Sequence, residues 1–281
     1  MIGDFMIITF LKFIICSILI VIISKNILAT TLRKLAQSLN LKSKTVGNIA
    51  GIATSVPELL SLGIAGFTGL IDTGIFNILS SNVINVLEYF LTVKINGNIK
   101  KMKNKVIIIE LIIVLITIII PVVIYVKDIA LNFMMIIIFL LLFCIFSIID
   151  SKIHKKYLRK ENEIEKEQGA EEKDKKQILK YIIILIGATI LIFITGNILS
   201  DSLETLCNNF GVSQIIIGIL LGIITSAPEF ITFNEAQKYH KKGSKEQLKG
   251  VIEATNNLIS SNMLNLFVIQ SVGILIYLIS Y

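Results

Sequence analysis

The chain alternates long apolar runs with short polar or basic segments. Eight runs approach or exceed the roughly 18–20 residues that cross a bilayer as a helix. They fall at about 5–28, 46–67, 74–95, 106–126, 129–150, 178–199, 212–236 and 251–280. Each run is continuous rather than alternating, which predicts helices and argues against barrel strands. The second and third runs are joined by the short segment 68–73. Lys127 and Asp128 mark the turn between the fourth and fifth, and an acidic loop with Asp201 and Glu204 separates the sixth and seventh. The first run has neither a basic leader nor a small-residue cleavage site, so it reads as a span rather than a signal peptide.

The stretch 151–177 has a different character. It is dense in Lys, Glu and Gln, and its charges alternate in sign. That pattern predicts a solvated helix or a disordered connector. It lacks the spacing of a calcium-binding EF-hand loop.

An eight-residue phrase occurs twice. Gly51-Ile-Ala-Thr-Ser-Val-Pro-Glu58 returns as Gly222-Ile-Ile-Thr-Ser-Ala-Pro-Glu229. A second phrase follows each copy: Ser80-Ser-Asn-Val-Ile-Asn85, then Ser260-Ser-Asn-Met-Leu-Asn265. Gly47 and Gly218 stand four residues before the two copies. Two phrases in one order in both halves signal internal duplication.

Charge sets the orientation. Of 27 basic residues, only Lys12 and Lys127 fall outside the connections 1–2, 3–4, 5–6 and 7–8 and their flanks. The positive-inside rule therefore predicts a multi-pass protein of the cell membrane, with both termini outside and 151–177 cytoplasmic. The net charge of +7 belongs to this pattern and not to nucleic-acid binding. The second and seventh spans then run in opposite directions. An inverted repeat places a substrate site near the midplane, where the halves meet. The chain divides into an N-terminal half, 1–150, with the first repeat at about 46–95; the charged loop 151–177; and a C-terminal half, 178–281, with the second repeat at about 212–271.

Composition agrees. The chain has 281 residues, 54% hydrophobic, with mean hydropathy +0.81 and no Trp, which is too apolar for a soluble domain. Cys16, Cys144 and Cys207 are odd in number and widely spaced, so neither a disulfide framework nor a cysteine metal motif is expected. There is no phosphate loop, nucleophile–base pair or catalytic His, which argues against an enzyme.

The duplicated residues carry the chemistry. On a helix, Thr54 and Ser55 share a face with Glu58, and Thr225 and Ser226 share one with Glu229. Ser81 with Asn85, and Ser261 with Asn265, are also one turn apart. Pro57 and Pro228 cannot donate hydrogen bonds and free the carbonyls of Ala53 and Ile224. Such backbone is tolerated at membrane depth where it lines a cavity. Gly51 and Gly222 are expected to let backbone and ion approach closely. Small-residue helices with Ser and Thr are also ordinary packing faces in membranes, but a matched pair of Glu in inverted repeats favours an ion site. Carboxylates, hydroxyls, amides and carbonyls are hard ligands suited to Ca²⁺, Na⁺ or Mg²⁺ rather than zinc or copper. Two such carboxylates repel unless a cation or a proton compensates them. Glu88, Glu110, Asp150 and Glu253 read as interface or loop-proximal charges, and Asp72 as a loop residue that helps gather cations.

At these residues the sequence resembles the calcium/cation antiporter superfamily, and within it the prokaryotic sodium/calcium exchangers. Thr54-Ser-Val-Pro-Glu58 and Thr225-Ser-Ala-Pro-Glu229 resemble the two repeat signatures. Ser81-Asn82 and Ser261-Asn262 resemble the Gly-Ser-Asn phrase that follows each one. The resemblance covers about 40–95 and 205–272. It implies that Glu58 and Glu229 hold Ca²⁺ centrally. It implies that Thr54, Ser55, Ser81, Asn85, Thr225, Ser226, Ser261 and Asn265 line the Ca²⁺ and Na⁺ sites, with carbonyls near Gly51 and Gly222. The implied activity is exchange of Ca²⁺ for Na⁺ by alternating access, with these ions as cargo and no cofactor. Proton coupling, another divalent cation, or a non-transporting cation-binding role are the alternatives. Ser80 and Ser260 replace the usual Gly, Ala53 replaces a frequent Gly, and Asn265 stands where some members carry Asp. The family typically has ten spans against eight here, and a homo-oligomer is one way to cover the face of the absent helices.

Overall fold

A computed structural model describes residues 2–23, 26–27, 30–31, 34–35, 43–157, 175–239 and 244–281. The principal helices are α1 (Ile2–Ile23), α2 (Ser43–Thr54), α3 (Val56–Phe67), α4 (Ile71–Ile95), α5 (Lys105–Val126), α6 (Phe133–Tyr157) and α7 (Lys175–Glu204). They continue as α8 (Gln214–Thr225), α9 (Ala227–Tyr239), α10 (Ser244–Met263) and α11 (Gln270–Ser280). A 3₁₀ turn, Ile99–Lys103, precedes α5. Single π-helical stretches, Thr205–Asn209 and Leu264–Ile269, follow α7 and join α10 to α11. Among the described residues, eight helical segments are long and apolar enough to cross a membrane. The protein is an all-α, multi-pass membrane protein.

Two spans are broken at equivalent points. Span 2 is α2 and α3, which meet at Ser55 (φ −84°, ψ 2°). Span 7 is α8 and α9, which meet at Ser226 (φ −75°, ψ −15°). The prolines at 57 and 228 lack the N–H that would continue the ladder, so the helix must reorganise one turn earlier. The ladder recovers through Ser55 N–H to Gly51 O and Leu59 N–H to Ser55 O. In the second copy it recovers through Ser226 N–H to Gly222 O and Glu229 N–H to Ser226 O.

The repeats pack crosswise. Helix α2 of the first lies on α10 of the second, and α8 of the second lies on α4 of the first. Glycines permit this. A Cβ at Gly47 would stand 2.7 Å from the Glu253 carbonyl oxygen, and one at Gly51 would stand 2.8 Å from that of Asn257. A Cβ at Gly222 would stand 2.8 Å from the carbonyl oxygen of Asn77. Close backbone approach matters here because lipid tails are as apolar as Leu, so packing and interhelical hydrogen bonds replace hydrophobic burial as the driving force.

Two apolar clusters flank the crossing. One gathers Tyr89, Val114, Phe139, Phe233, Leu258 and Phe267 from spans 3, 4, 5, 7 and 8. Its rings meet edge-on, Tyr89 with Phe233 and Phe139 with Phe267, each pair with centroids 6.0 Å apart. The other packs Phe13, Cys16 and Ile20 of α1 with Leu199 and Leu203 of α7, over Ile217 and Leu221 of α8. Spans 1 and 6 thus form a pair beside the core.

Some boundaries differ from the sequence reading. Asp201 and Glu204 are not in a loop: α7 runs on to Glu204. Both acids are exposed, while Leu199, Leu203 and Leu206 turn inward at helical spacing and carry the helix onward. The fifth span starts at Phe133 and runs to Tyr157, into the charged stretch. Residues 158–174 of that stretch lie outside the described residues. Glu110 and Glu253, read as interface or loop-proximal charges, are buried, 0% and 5% exposed.

Candidate ion-binding site

The site forms where the two broken spans cross α4 and α10. Thr54, Ser55, Glu58, Ser81, Asn85, Thr225, Ser226, Glu229, Ser261 and Asn265 are all buried, none more than 3% exposed. Each Glu sits in the first turn of its half-helix, Glu58 in α3 and Glu229 in α9. The N-terminal dipole of a half-helix favours negative charge there.

Each carboxylate is held by one oxygen. Ser81 Oγ donates to Glu58 Oε1 at 2.7 Å, and Ser261 Oγ donates to Glu229 Oε1 at 3.0 Å. Each of these serines also meets a serine of the opposite repeat. Ser226 Oγ lies 3.1 Å from Ser81 Oγ, and Ser55 Oγ lies 2.9 Å from Ser261 Oγ. Two matched chains result, Glu58–Ser81–Ser226 and Glu229–Ser261–Ser55.

The asparagines make a second matched set. Asn85 Nδ2 donates to Asn262 Oδ1 at 3.0 Å, and Asn265 Nδ2 donates to Asn82 Oδ1 at 3.1 Å. Asn82 and Asn262 also reach each other's backbone carbonyls, at 3.4 and 3.1 Å. The two repeats are therefore stitched together side chain to side chain.

The buried oxygens left without a hydrogen-bond partner include Oε2 of Glu58, Oε2 of Glu229, Oδ1 of Asn85 and Oδ1 of Asn265. These four are matched in pairs across the repeats, and all are acceptors. Buried acceptors without donors are costly at low dielectric. A hard cation satisfies acceptors and neutralises paired carboxylates at once. Among the described residues no three His, Cys, Asp or Glu side chains converge as a metal group. A cation held there would need hydroxyls and amides beside the two carboxylates.

The threonines and glycines sit differently. Thr225 Oγ1 donates to Asn77 Oδ1 at 3.2 Å, while Thr54 Oγ1 turns back to the Ala50 and Gly51 carbonyls at 3.0 and 3.2 Å. The Gly51 carbonyl also accepts from Ser55 Oγ at 2.9 Å, and that of Gly222 from Ser226 Oγ at 2.7 Å. Gly51 and Gly222 touch the neighbouring helix of the other repeat, so their smallness serves helix contact.

The sequence reading did not single out Asn82, Asn262, Asn77, Asn257 or Glu88 for the site. Asn77 bonds Ser61, and Asn257 Nδ2 donates to Thr232 Oγ1 at 2.6 Å, bracing each half-helix from below its Glu. The spacing Asn77, Ser81, Asn85 repeats as Asn257, Ser261, Asn265, one turn per step. That stripe is a usable signal. Glu88 follows on the same stripe, with Val268 at the matching position. Glu88 is half-buried, and its Oε2 has no hydrogen-bond partner.

A family model described as "Sodium/calcium exchanger protein" matches residues 9–151 and 180–281. No curated protein and no solved structure matches the chain. The match takes in both repeats, both crossing helices and the paired glutamates, and covers most of the chain. The chain belongs to the sodium/calcium exchanger family.

Proposed function

We propose that the protein is a secondary antiporter that exchanges Ca²⁺ for Na⁺ across the cell membrane. The observation that carries this reading is the set of four unpartnered acceptors, Oε2 of Glu58 and Glu229 and Oδ1 of Asn85 and Asn265. Glu58 and Glu229 bind the cation directly, each clamped through its other oxygen by Ser81 or Ser261. Thr54, Ser55, Thr225 and Ser226, with backbone near Gly51 and Gly222, complete the lining for Ca²⁺ and Na⁺. Two carboxylates that share one site repel at low dielectric, so the empty site is unfavourable and one cation must leave as another enters. Mutually exclusive occupancy of that kind is the physical basis of exchange.

Alternating access is the transport cycle this reading expects. The paired spans 1 and 6 move against the stitched core of spans 2, 3, 7 and 8. The basic connections and 151–177 lie in the cytoplasm and both termini outside. The test is ⁴⁵Ca²⁺ flux in proteoliposomes with Na⁺, K⁺ and proton gradients imposed in turn. The reading expects uptake driven by the Na⁺ gradient alone. Uptake that follows a proton gradient and ignores Na⁺ would overturn the coupling.

A further inference from the structure

A second polar feature lies away from the paired glutamates. The 2–3 and 4–5 connections share one end of the molecule, opposite the lysine-rich connection at 94–105. A cavity of about 270 Å³ opens there between α4, α5 and the start of α11. Asp72, in the first turn of α4, and Asp128, in the turn after α5, line it and are exposed. Tyr125 and Phe76 form one wall, ring edge to face with centroids 5.0 Å apart. Lys127 is exposed beside Asp128 and is not part of the lining.

The floor shows what the cavity is for. Gln270 lines it, is only 1% exposed, and neither Nε2 nor Oε1 has a hydrogen-bond partner. A buried amide left unpaired at both ends is costly. It persists where water or a ligand completes it. The volume, about 270 Å³, has room for several waters. That is enough for a cation with an inner shell of about six oxygens. The apolar walls are then no obstacle, because the ion keeps its waters and the protein holds the shell.

We propose that this cavity is a second cation site, an antechamber that holds a hydrated hard cation such as Ca²⁺. Asp72 and Asp128 attract the ion, and Gln270 hydrogen-bonds its water shell. Binding through water is weak, with a dissociation constant of about 0.1–1 mM, as in other exposed calcium sites. The antechamber also touches the central machinery: the Gln270 N–H donates to the Asn265 carbonyl across the π-helical stretch. The proposal concerns binding alone and stands whether or not the central pair exchanges ions.

Tyr125 provides the test, since tyrosine sensitises the luminescence of Tb³⁺, a hard stand-in for Ca²⁺. The purified full-length protein in detergent is titrated with Tb³⁺ under tyrosine excitation. The account expects a luminescence component that Tyr125→Phe removes and millimolar Ca²⁺ displaces. The double variant Asp72→Asn/Asp128→Asn, changed only at exposed positions, also loses that component. Glu58→Gln keeps it. Retention of the full signal in Tyr125→Phe or in the double Asp variant overturns the proposal. So does its loss in Glu58→Gln, which would assign the signal to the central pair.

Discussion

The hydroxyls of Ser55 and Ser261 stand 2.9 Å apart, although 206 positions separate them in the chain. Ser261 also donates to Glu229, so a serine of the first repeat helps to place the carboxylate of the second. The same relation holds in mirror order through Ser226, Ser81 and Glu58. Neither glutamate is positioned by its own repeat alone.

Glu58→Gln and Glu229→Gln should each abolish Ca²⁺ exchange while leaving the fold intact. Gln keeps the shape and one oxygen acceptor but removes the charge that a divalent ion needs. Flux in proteoliposomes measures the loss. Circular dichroism and gel filtration check the fold.

Ser81→Ala and Ser261→Ala should weaken Ca²⁺ binding without abolishing it. Each change removes a hydrogen bond to a charged oxygen, worth about 1.5–3 kcal/mol. That corresponds to a loss of about tenfold to a hundredfold in affinity. Calorimetric titration in detergent reads it. Unchanged affinity in both variants would mean that the serines do not hold the carboxylates in place.

Asn82→Ala and Asn262→Ala should loosen the joint between the halves. Interhelical polar bonds in membranes contribute about 0.6 kcal/mol each, rising to about 1.7. Each variant removes two donors or acceptors from the lock and should lower the detergent melting temperature by several degrees. The double variant should lose less than the sum, because the two side chains share partners.

Gly222→Ala and Gly187→Ala should have opposite effects. At Gly222 the new methyl would meet the Asn77 carbonyl at 2.8 Å and the Ser80 side chain, so α8 and α4 must separate. Overpacking of that kind costs about 1–3 kcal/mol. At Gly187 nothing lies within 4 Å of the added Cβ, and Ala gains about 1 kcal/mol of helix propensity. Thermal denaturation of the pair distinguishes crowding from any general effect of replacing glycine in a span.

Much of this was legible in the sequence. The eight spans follow from apolar length. Pro57 and Pro228 mark where the ladder loosens, but the breaks at Ser55 and Ser226 do not follow from them alone. The expectation that the repeats run in opposite directions rests on where the lysines fall. The four-residue spacing of Ser81 with Asn85, and of Ser261 with Asn265, put those side chains on one face. What remained hidden depends on which helix meets which. Nothing local shows that α2 packs on α10 rather than on its own repeat's α4, and the cross-pairing of Asn82 with Asn262 follows from that choice. For the same reason nothing local shows that the Cα of Gly51 and of Gly222 lies against helix backbone of the other repeat. Asp201 and Glu204 looked like a loop because charge usually ends a span. Their exposure on one side of α7 let the helix continue.

The account's central claim is that one site, built by both repeats, takes Ca²⁺ or Na⁺ but not both at once. Equilibrium ⁴⁵Ca²⁺ binding to the purified protein, measured against rising Na⁺, tests it most directly. The prediction is that Na⁺ displaces Ca²⁺ completely, and that Glu58→Gln and Glu229→Gln each lose the Na⁺-sensitive binding. Ca²⁺ that stays bound in excess Na⁺, or Na⁺-sensitive binding that survives in either variant, would contradict it.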